Sequence, residues 1–401
     1  MLVAPARNQE IEALRGVAIL LVLYGHMGSL LVGETLYGLS REFLQPGTGV
    51  DLFFCISGYV ITRHLIREPR TERSWSAFAQ FAGPFWIRRF FRLAPSAWLW
   101  LAVLLVFSYV VDDTLNFTRN LYHTVAAFFQ LANFHLYECR SAATQVVCGR
   151  PGYYWSLALE EQFYILFPFM LVFLTRRMLL VAVVAIILLQ VFSERNALMW
   201  LIRTDALAFG VLIALLQQSP GYAGLAPRWL SRPWLQWLPF AVCVAVIACI
   251  EAPAFFNGFT GRYATGIVAV TSAVLIWLSS FESGFAVPAG RFSRVLIYFG
   301  TRSYALYLIH VPTSWIVPRL LQSAIGHPAD PVTSCIAVYA ATMAATELNY
   351  RYLETPLRRY GAKVADRFRN LRYVEPAPAA TRDAAPAVAR PPAATAAVEA
   401  G

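Results

Sequence analysis

Charged residues are scarce in this sequence: they make up 14% of its 401 residues, whereas 58% are hydrophobic, and the mean hydropathy is +0.52. A chain with so little charge cannot enclose its apolar runs in one water-soluble core. It also lacks a series of roughly 10-residue segments of alternating hydrophobicity, which argues against membrane-spanning strands. Its six cysteines contain no C-x-x-C, so no zinc or dithiol site is indicated. These absences predict an all-α integral membrane protein.

Ten segments reach or approach the roughly 17 to 25 apolar residues that a helix needs to cross a bilayer. They are 11–32, 49–66, 94–112, 154–174, 179–192, 198–216, 235–250, 263–281, 295–317 and 332–350. The fifth segment is the shortest and is expected to lie in a thinned region or to extend its polar end to the interface. The sequence therefore predicts a polytopic protein with about ten transmembrane helices.

Arginine predicts the orientation, because short cytoplasmic loops carry an excess of Lys and Arg. With the N-terminus inside, alternate connections hold Arg67, Arg70, Arg73, Arg88, Arg89, Arg92, Arg176, Arg177, Arg228, Arg232, Arg291 and Arg294. Both termini are therefore predicted to be cytoplasmic. The net charge of +10 is attributed to this bias and to contact with anionic membrane lipid, and no nucleic-acid partner is expected.

Three segments lie outside the ten predicted spans: 119–134, the loop that contains Cys139 and Cys148, and 373–401. A crossing at 119–134 would reverse the orientation, so this segment is predicted to be re-entrant or interfacial. Cys139 and Cys148 share a loop that this orientation places outside; a disulfide and two free thiols both remain open. Residues 373–401 are rich in Ala and Pro and are predicted to form a disordered cytoplasmic tail.

Ionisable residues within a span are costly and require a partner, a cavity or a function. In the first predicted helix, Arg15 and His26 lie eleven residues apart, which is about 20° around a helix and about 16 Å along it. The two side chains therefore share a face, along which a substrate could extend. The alternative is that Arg15 reaches lipid headgroups while His26 bonds a neighbouring helix.

The second helix and the basic segment before the third add further candidates. Asp51 and Ser57 lie in the second helix, where Asp51 could alternatively cap the helix and Gly58 could serve close packing. Clustered guanidinium groups suit a phosphate-rich ligand, and anchoring to lipid phosphate is the alternative. The cluster consists of Arg88, Arg89 and Arg92.

The later helices also carry polar residues. Glu160 and Glu161 are adjacent, and at least one should face the interior, where it could orient a histidine or pair with Arg203. Arg203 and Asp205 could equally form interhelical ion pairs. Ser303, Tyr307 and His310 recur at helical spacing, which suits ligand contact or hydrogen bonding between helices.

Taken in order, these blocks resemble the membrane-bound acyltransferase 3 family over residues 8–360. They are R-x10-H in the first helix, GVDLFFCISGY, RRFFRLAP, WSLALEEQFY, RTDALAFG and GTRSYALYLIH. The resemblance implies transfer of an acyl group, usually acetyl, from cytoplasmic acyl-CoA to a hydroxyl of an extracytoplasmic glycan or lipid-linked sugar. It further implies a bacterial inner-membrane location and no bound cofactor or metal, with acetyl-CoA as a substrate.

The resemblance also assigns roles to residues. His26 matches the essential histidine, with Glu160 and Glu161 as carboxylates that support catalysis. The predicted donor- and substrate-binding set is Arg15, Arg88, Arg89, Arg92, Asp51, Ser57, Tyr164, Arg203, Asp205, Ser303, Tyr304, Tyr307 and His310. A transporter or flippase for an acyl or glycan substrate is the alternative function. Some members carry a fused esterase-like domain, so a further transfer step is expected to need a separate envelope-biosynthesis protein.

Overall fold

The computed structural model describes residues 8–67, 74–141, 148–232, 235–255 and 258–372. Throughout these ranges the regular structure is helical, with no strand. The α-helices are α1 (Gln9–Val32), α2 (Glu34–Arg41), α3 (Gly49–Leu65), α4 (Trp75–Val111), α5 (Thr114–Phe128), α6 (Ala132–Arg140), α7 (Trp155–Phe173), α8 (Arg176–Val191), α9 (Ala197–Leu201), α10 (Asp205–Leu216), α11 (Trp237–Cys249), α12 (Gly258–Ser279), α13 (Arg291–Thr301), α14 (Ser303–Ile325), α15 (Pro331–Leu348) and α16 (Thr355–Arg372). A π-helical turn, Asn349–Glu354, joins the last two.

The helical and multi-pass character predicted from composition is confirmed. Four helices in the described ranges are long and apolar enough to cross a bilayer: Gln9–Leu30, Trp75–Val111, Arg150–Phe173 and Gly261–Ser279. Two shorter apolar helices are Asp205–Leu216 and Trp237–Cys249. The number of ten spans and the cytoplasmic placement of the termini stay predictions.

Several helix boundaries differ from those predicted. The span predicted at 94–112 begins much earlier, at Trp75, because the Ser74 hydroxyl caps the helix by accepting from the Ala77 amide (3.1 Å). The helix then continues through two internal prolines. The apolar run at 94–112 therefore did not predict where this helix begins.

Two predicted spans are interrupted. The span at 198–216 divides into α9 and α10 around residues 202–204, and the span at 295–317 divides into α13 and α14 at Arg302. Arg302 leaves the helical conformation (φ −108°, ψ 4°) and binds Glu347 of α15 through Nε (2.5 Å) and Nη2 (3.1 Å). In both places an arginine at the break is engaged in a bidentate ion pair with another helix.

The segment predicted to be re-entrant or interfacial forms parts of two helices, α5 and α6. They are separated by a turn in which Gln130 has a positive φ of 60°. Cys139, in the last turn of α6, forms a disulfide with Cys148, with the two Cα atoms 5.3 Å apart. Of the two states left open by the sequence, the structure has the bonded one.

The tail predicted to be disordered, residues 373–401, lies outside the described residues. So do Arg70 and Arg73, which are predicted to lie in a cytoplasmic loop.

Two helix pairs are in direct backbone contact at glycines. A Cβ added at Gly300 of α13 would collide with the Glu12 carbonyl of α1, and one at Gly58 of α3 would collide with the Leu207 carbonyl of α10. Gly16 and Gly210 make the reciprocal contacts. Small residues permit such close approach between membrane helices. The close-packing interpretation of Gly58 is therefore supported.

We expect Gly300→Ala to destabilise the protein by roughly 1 to 3 kcal/mol, the usual cost of overpacking a close contact. The reason is that the new methyl group must displace the α1 backbone that carries Arg15 and His26. Thermal unfolding of the detergent-solubilised protein measures the effect. Gly38→Ala is the matched control, since Gly38 is also helical and has open space around its Cα. Equal melting temperatures for the two variants would contradict the backbone contact.

Candidate active site

A polar cavity of about 80 Å³ lies between α1, α3, α4, α7 and α14. Its apolar walls include Phe53, Phe54 and Leu157. Ten of the residues predicted from sequence line it: Arg15, Ser57, Arg89, Arg92, Glu160, Glu161, Tyr164, Ser303, Tyr304 and Tyr307. Residues from five helices, distant in sequence, are therefore brought together.

Glu160 is the hydrogen-bonding centre of this cavity. Its carboxylate accepts hydrogen bonds from the Ser57 hydroxyl of α3 and from the Tyr164 hydroxyl one turn further along α7. The spacing of Glu160 and Tyr164 places both on one face of the helix. The carboxyl group thereby links α7 to α3 at the wall of the cavity.

The cavity also collects arginines. The Arg89 guanidinium lies 5.0 Å from the ring centre of Tyr164 and 5.5 Å from that of Phe85, within the range of cation–π attraction. Arg92, one turn further along α4, and Arg15 of α1 also line the cavity. Arg15 forms an ion pair with Glu12 (3.1 Å). Several guanidinium groups and two carboxylates thus share one enclosed space.

Arg88 lies apart from this group. Its guanidinium is 3.8 Å from the Asp366 carboxylate of α16, and it does not line the cavity. Adjacent residues on a helix point about 100° apart, so Arg88 and Arg89 face different neighbours. The arginine cluster predicted as one group is therefore divided between two surfaces.

His26 is placed beside a second histidine. Its ring centre lies 4.9 Å from that of His310 in an edge-to-face arrangement. His26 Nδ1 is 3.0 Å from the Val22 carbonyl, and His310 Nδ1 is 3.2 Å from the Leu306 carbonyl. A carbonyl oxygen only accepts hydrogen bonds, so each Nδ1 carries a proton and each neutral ring has an unprotonated Nε2. The His310 Nε2 is buried and has no hydrogen-bond partner among the described residues.

On α14, the predicted series Ser303, Tyr307 and His310 runs from the cavity to the histidine pair. Tyr307 lines the cavity, and its ring centre lies 5.7 Å from that of His310. The Tyr307 hydroxyl donates to the Tyr153 carbonyl and accepts from the Ser156 hydroxyl, both at 2.6 Å. Tyr307 therefore makes hydrogen bonds between helices and also lines the cavity.

Three predicted site residues serve buried ion pairs outside the cavity lining. Arg203 donates to both carboxylate oxygens of Asp51 (2.7 and 2.9 Å), and both side chains are fully buried. The same guanidinium also lies within cation–π range of two indole rings, 4.8 Å from the ring centre of Trp155 and 4.1 Å from that of Trp200. Asp205 pairs with Arg195.

Thus Arg203 pairs with Asp51 and not with Glu160 or Glu161, and Asp51 of α3 is bonded to the break between α9 and α10.

Sequence reasoning missed Tyr153. This buried tyrosine packs against His310, with ring centres 5.3 Å apart, and its hydroxyl donates to the Leu308 carbonyl (2.9 Å). Its only sequence signal is its position two residues before the WSLALEEQFY block. Within the described ranges, His, Cys, Asp and Glu form no cluster of three or more able to hold a metal ion.

Comparison with known proteins gives one family. Residues 8–346 match the family model described as an acyltransferase domain, the acyltransferase 3 family. The chain is 28% identical to the peptidoglycan O-acetyltransferase OatA of Listeria monocytogenes over 376 residues, covering 88% of this chain and 56% of that protein. It is 28% identical to the O-acetyltransferase OatA of Staphylococcus aureus over 367 residues, covering 83% of this chain and 56% of that protein.

A third relative is the putative peptidoglycan O-acetyltransferase YrhL of Bacillus subtilis, 30% identical over 359 residues, covering 81% of this chain and 52% of that protein. The chain spans about half the length of these curated relatives. No solved structure matches it. The family match extends over most of the chain and includes every residue that lines the cavity. This multi-pass membrane protein therefore belongs to the acyltransferase 3 family.

Proposed function

We propose that the protein is a membrane O-acyltransferase that moves an acyl group, acetyl in the first instance, from cytoplasmic acyl-CoA to a hydroxyl of an extracytoplasmic glycan. The observation that carries this proposal is the arrangement of α1, in which Arg15 faces the arginine-lined cavity and His26 lies about 16 Å further along the axis. A long thioester could extend between the two. Relatives named as peptidoglycan O-acetyltransferases support a cell-wall glycan as acceptor.

The direction of transfer rests on the proposed topology of ten spans with both termini inside. This topology puts the arginine-lined end of the cavity toward the cytoplasm, where acyl-CoA is made. The disulfide between Cys139 and Cys148 supports an outer location for the opposite side, since disulfides persist in oxidising compartments. A bacterial inner membrane satisfies both conditions.

The donor would bind through its phosphates at the inner end. Arg89, Arg92 and Arg15 supply planar guanidinium groups that match phosphate oxygens. The side chains of Phe53 and Phe54 would contact the pantetheine arm as it extends toward His26. The role of Glu160 here is to balance the arginine charge and to fix Ser57 and Tyr164, since the His26 ring bonds the Val22 carbonyl instead.

At the outer end, the unprotonated Nε2 of His26 would act as general base. The acceptor hydroxyl loses its proton to Nε2 as its oxygen attacks the thioester carbonyl, and the carbon–sulfur bond breaks. The proton then passes from Nε2 to the departing CoA thiolate, so that the products are an ester and CoA. Transient acylation of His26 itself is the other route that the same nitrogen allows.

We expect His26→Ala to lower acyl transfer by about 10² to 10⁴, the usual contribution of general base catalysis. Proteoliposomes given labelled acetyl-CoA and a glycan acceptor would report labelled ester and free CoA. His327→Ala is the control, because His327 is an exposed histidine in the turn between α14 and α15. Full transfer by correctly inserted His26→Ala protein would refute the assignment, and movement of substrate without ester formation would favour a transporter.

We expect Arg92→Gln to raise the KM for acetyl-CoA by about tenfold or more, because a charge-assisted hydrogen bond typically contributes about 1.5 to 3 kcal/mol. Arg88→Gln should have a smaller effect, since Arg88 pairs with Asp366 away from the cavity. Steady-state kinetics at saturating acceptor separate KM from kcat. Arg177→Gln, at an exposed position of α8, controls for loss of cytoplasmic charge in general. Equal KM values for acetyl-CoA in the three variants would contradict phosphate binding in the cavity.

A further inference from the structure

A second, smaller cavity of about 30 Å³ adjoins the first. The two have four lining residues in common: Arg15, Arg92, Ser303 and Tyr304. The rest of the smaller cavity is largely polar and includes Glu12 of α1, Glu354 of the π-helical turn and Arg358 of α16. The arginine-lined end of the main cavity therefore continues into a space walled by the last helix, which begins after the residues matched to the family model.

Helix α16 is firmly placed against α4. The side chain of Phe91 packs directly over Gly361, where a Cβ would collide with it. The rings of Phe91 and Tyr360 also pack together, with centres 5.2 Å apart. The Arg88–Asp366 ion pair joins the same two helices at 3.8 Å. Arg358 is thus held at the cavity by a packed helix.

The charges at this position are predominantly positive. Three guanidinium groups line the smaller cavity, and of these Arg15 is paired with Glu12. Neither Arg92 nor Arg358 forms an ion pair within 4 Å with any residue that the structure describes. Burial raises the pKa of the Glu354 carboxyl to about 7, although Arg92 and Arg358 act to lower it. Near neutral pH this carboxyl is therefore only partly ionised and neutralises the arginines incompletely.

We infer that Arg358, together with Arg92 and Arg15, forms a phosphate subsite that binds the nucleotide end of the donor thioester at the mouth of the cavity. This inference rests on the proposed function and extends the donor site to α16. The nucleotide end of such a donor carries several phosphate groups, and several guanidinium groups around one space can bind more of their oxygens than a single arginine could. An anionic lipid headgroup offers the same phosphate chemistry, so the test must separate the two sources.

Binding of CoA to the purified full-length protein in nanodiscs of neutral lipid provides the test, because it needs no acceptor. By calorimetry we expect Arg358→Gln to weaken CoA binding by about tenfold or more. Arg358→Lys, which keeps the charge without the planar fork, should lose less. Arg359→Gln is the matched control, since Arg359 is adjacent on α16, exposed, and absent from the cavity lining. Melting temperatures establish that each variant is folded.

Pantetheine, the arm of CoA without its phosphates, identifies what Arg358 contacts. In competition with labelled CoA, its inhibition constant should be equal for the wild type and Arg358→Gln. Equal CoA affinity for Arg358→Gln and Arg359→Gln would overturn the subsite. So would a difference that appears only in nanodiscs containing phosphatidylglycerol, which would assign Arg358 to lipid. Failure of the wild type to bind CoA at all would instead contradict the proposed function itself.

Discussion

The constraint on which this structure depends is the cost of placing charge among membrane helices. Removing one partner of a buried ion pair costs about 3 to 5 kcal/mol, because the remaining charge has neither water nor a counter-ion. Arg203 and Asp51 meet this constraint by a bidentate pair that joins α3 to the chain just before α10, and Asp205 meets it through Arg195. Arg89, Arg92, Glu160 and Glu161 instead line the cavity, where guanidinium and carboxyl groups lie close to one another.

The ion pairs act together with the glycine contacts. Gly58 and Gly210 bring the backbones of α3 and α10 together, and the Asp51–Arg203 pair lies between the same elements. On the other side, Gly300 and Gly16 fix α1 against α13. Since α1 carries both Arg15 and His26, its position determines where the two ends of the proposed reaction path lie. Close packing beside the cavity therefore supports the geometry within it.

Much of this could be predicted from the sequence. Long apolar runs indicated most helices, and the polar residues in these runs together with the family resemblance indicated ten residues that the structure gathers in one cavity. The partner of Arg203 and the different neighbours of Arg88 and Arg89 could not be predicted, because they depend on the rotation of each helix against its neighbours. The interruption at Arg302 likewise follows from its pair with Glu347, a contact 45 residues away. The sequence around Tyr153 and Arg358 does not indicate their neighbours, because His310 and the smaller cavity are brought to them by the packing of distant helices.

The histidine pair has one more consequence. In both His26 and His310, Nδ1 is committed to a backbone carbonyl one turn earlier on the same helix. A ring held in this way takes up and releases a proton at the same nitrogen, so it cannot pass protons from one side of the imidazole to the other. In the proposed reaction, His26 would therefore return to the CoA thiolate the proton that it takes from the acceptor hydroxyl, and acyl transfer would carry no net proton through this ring.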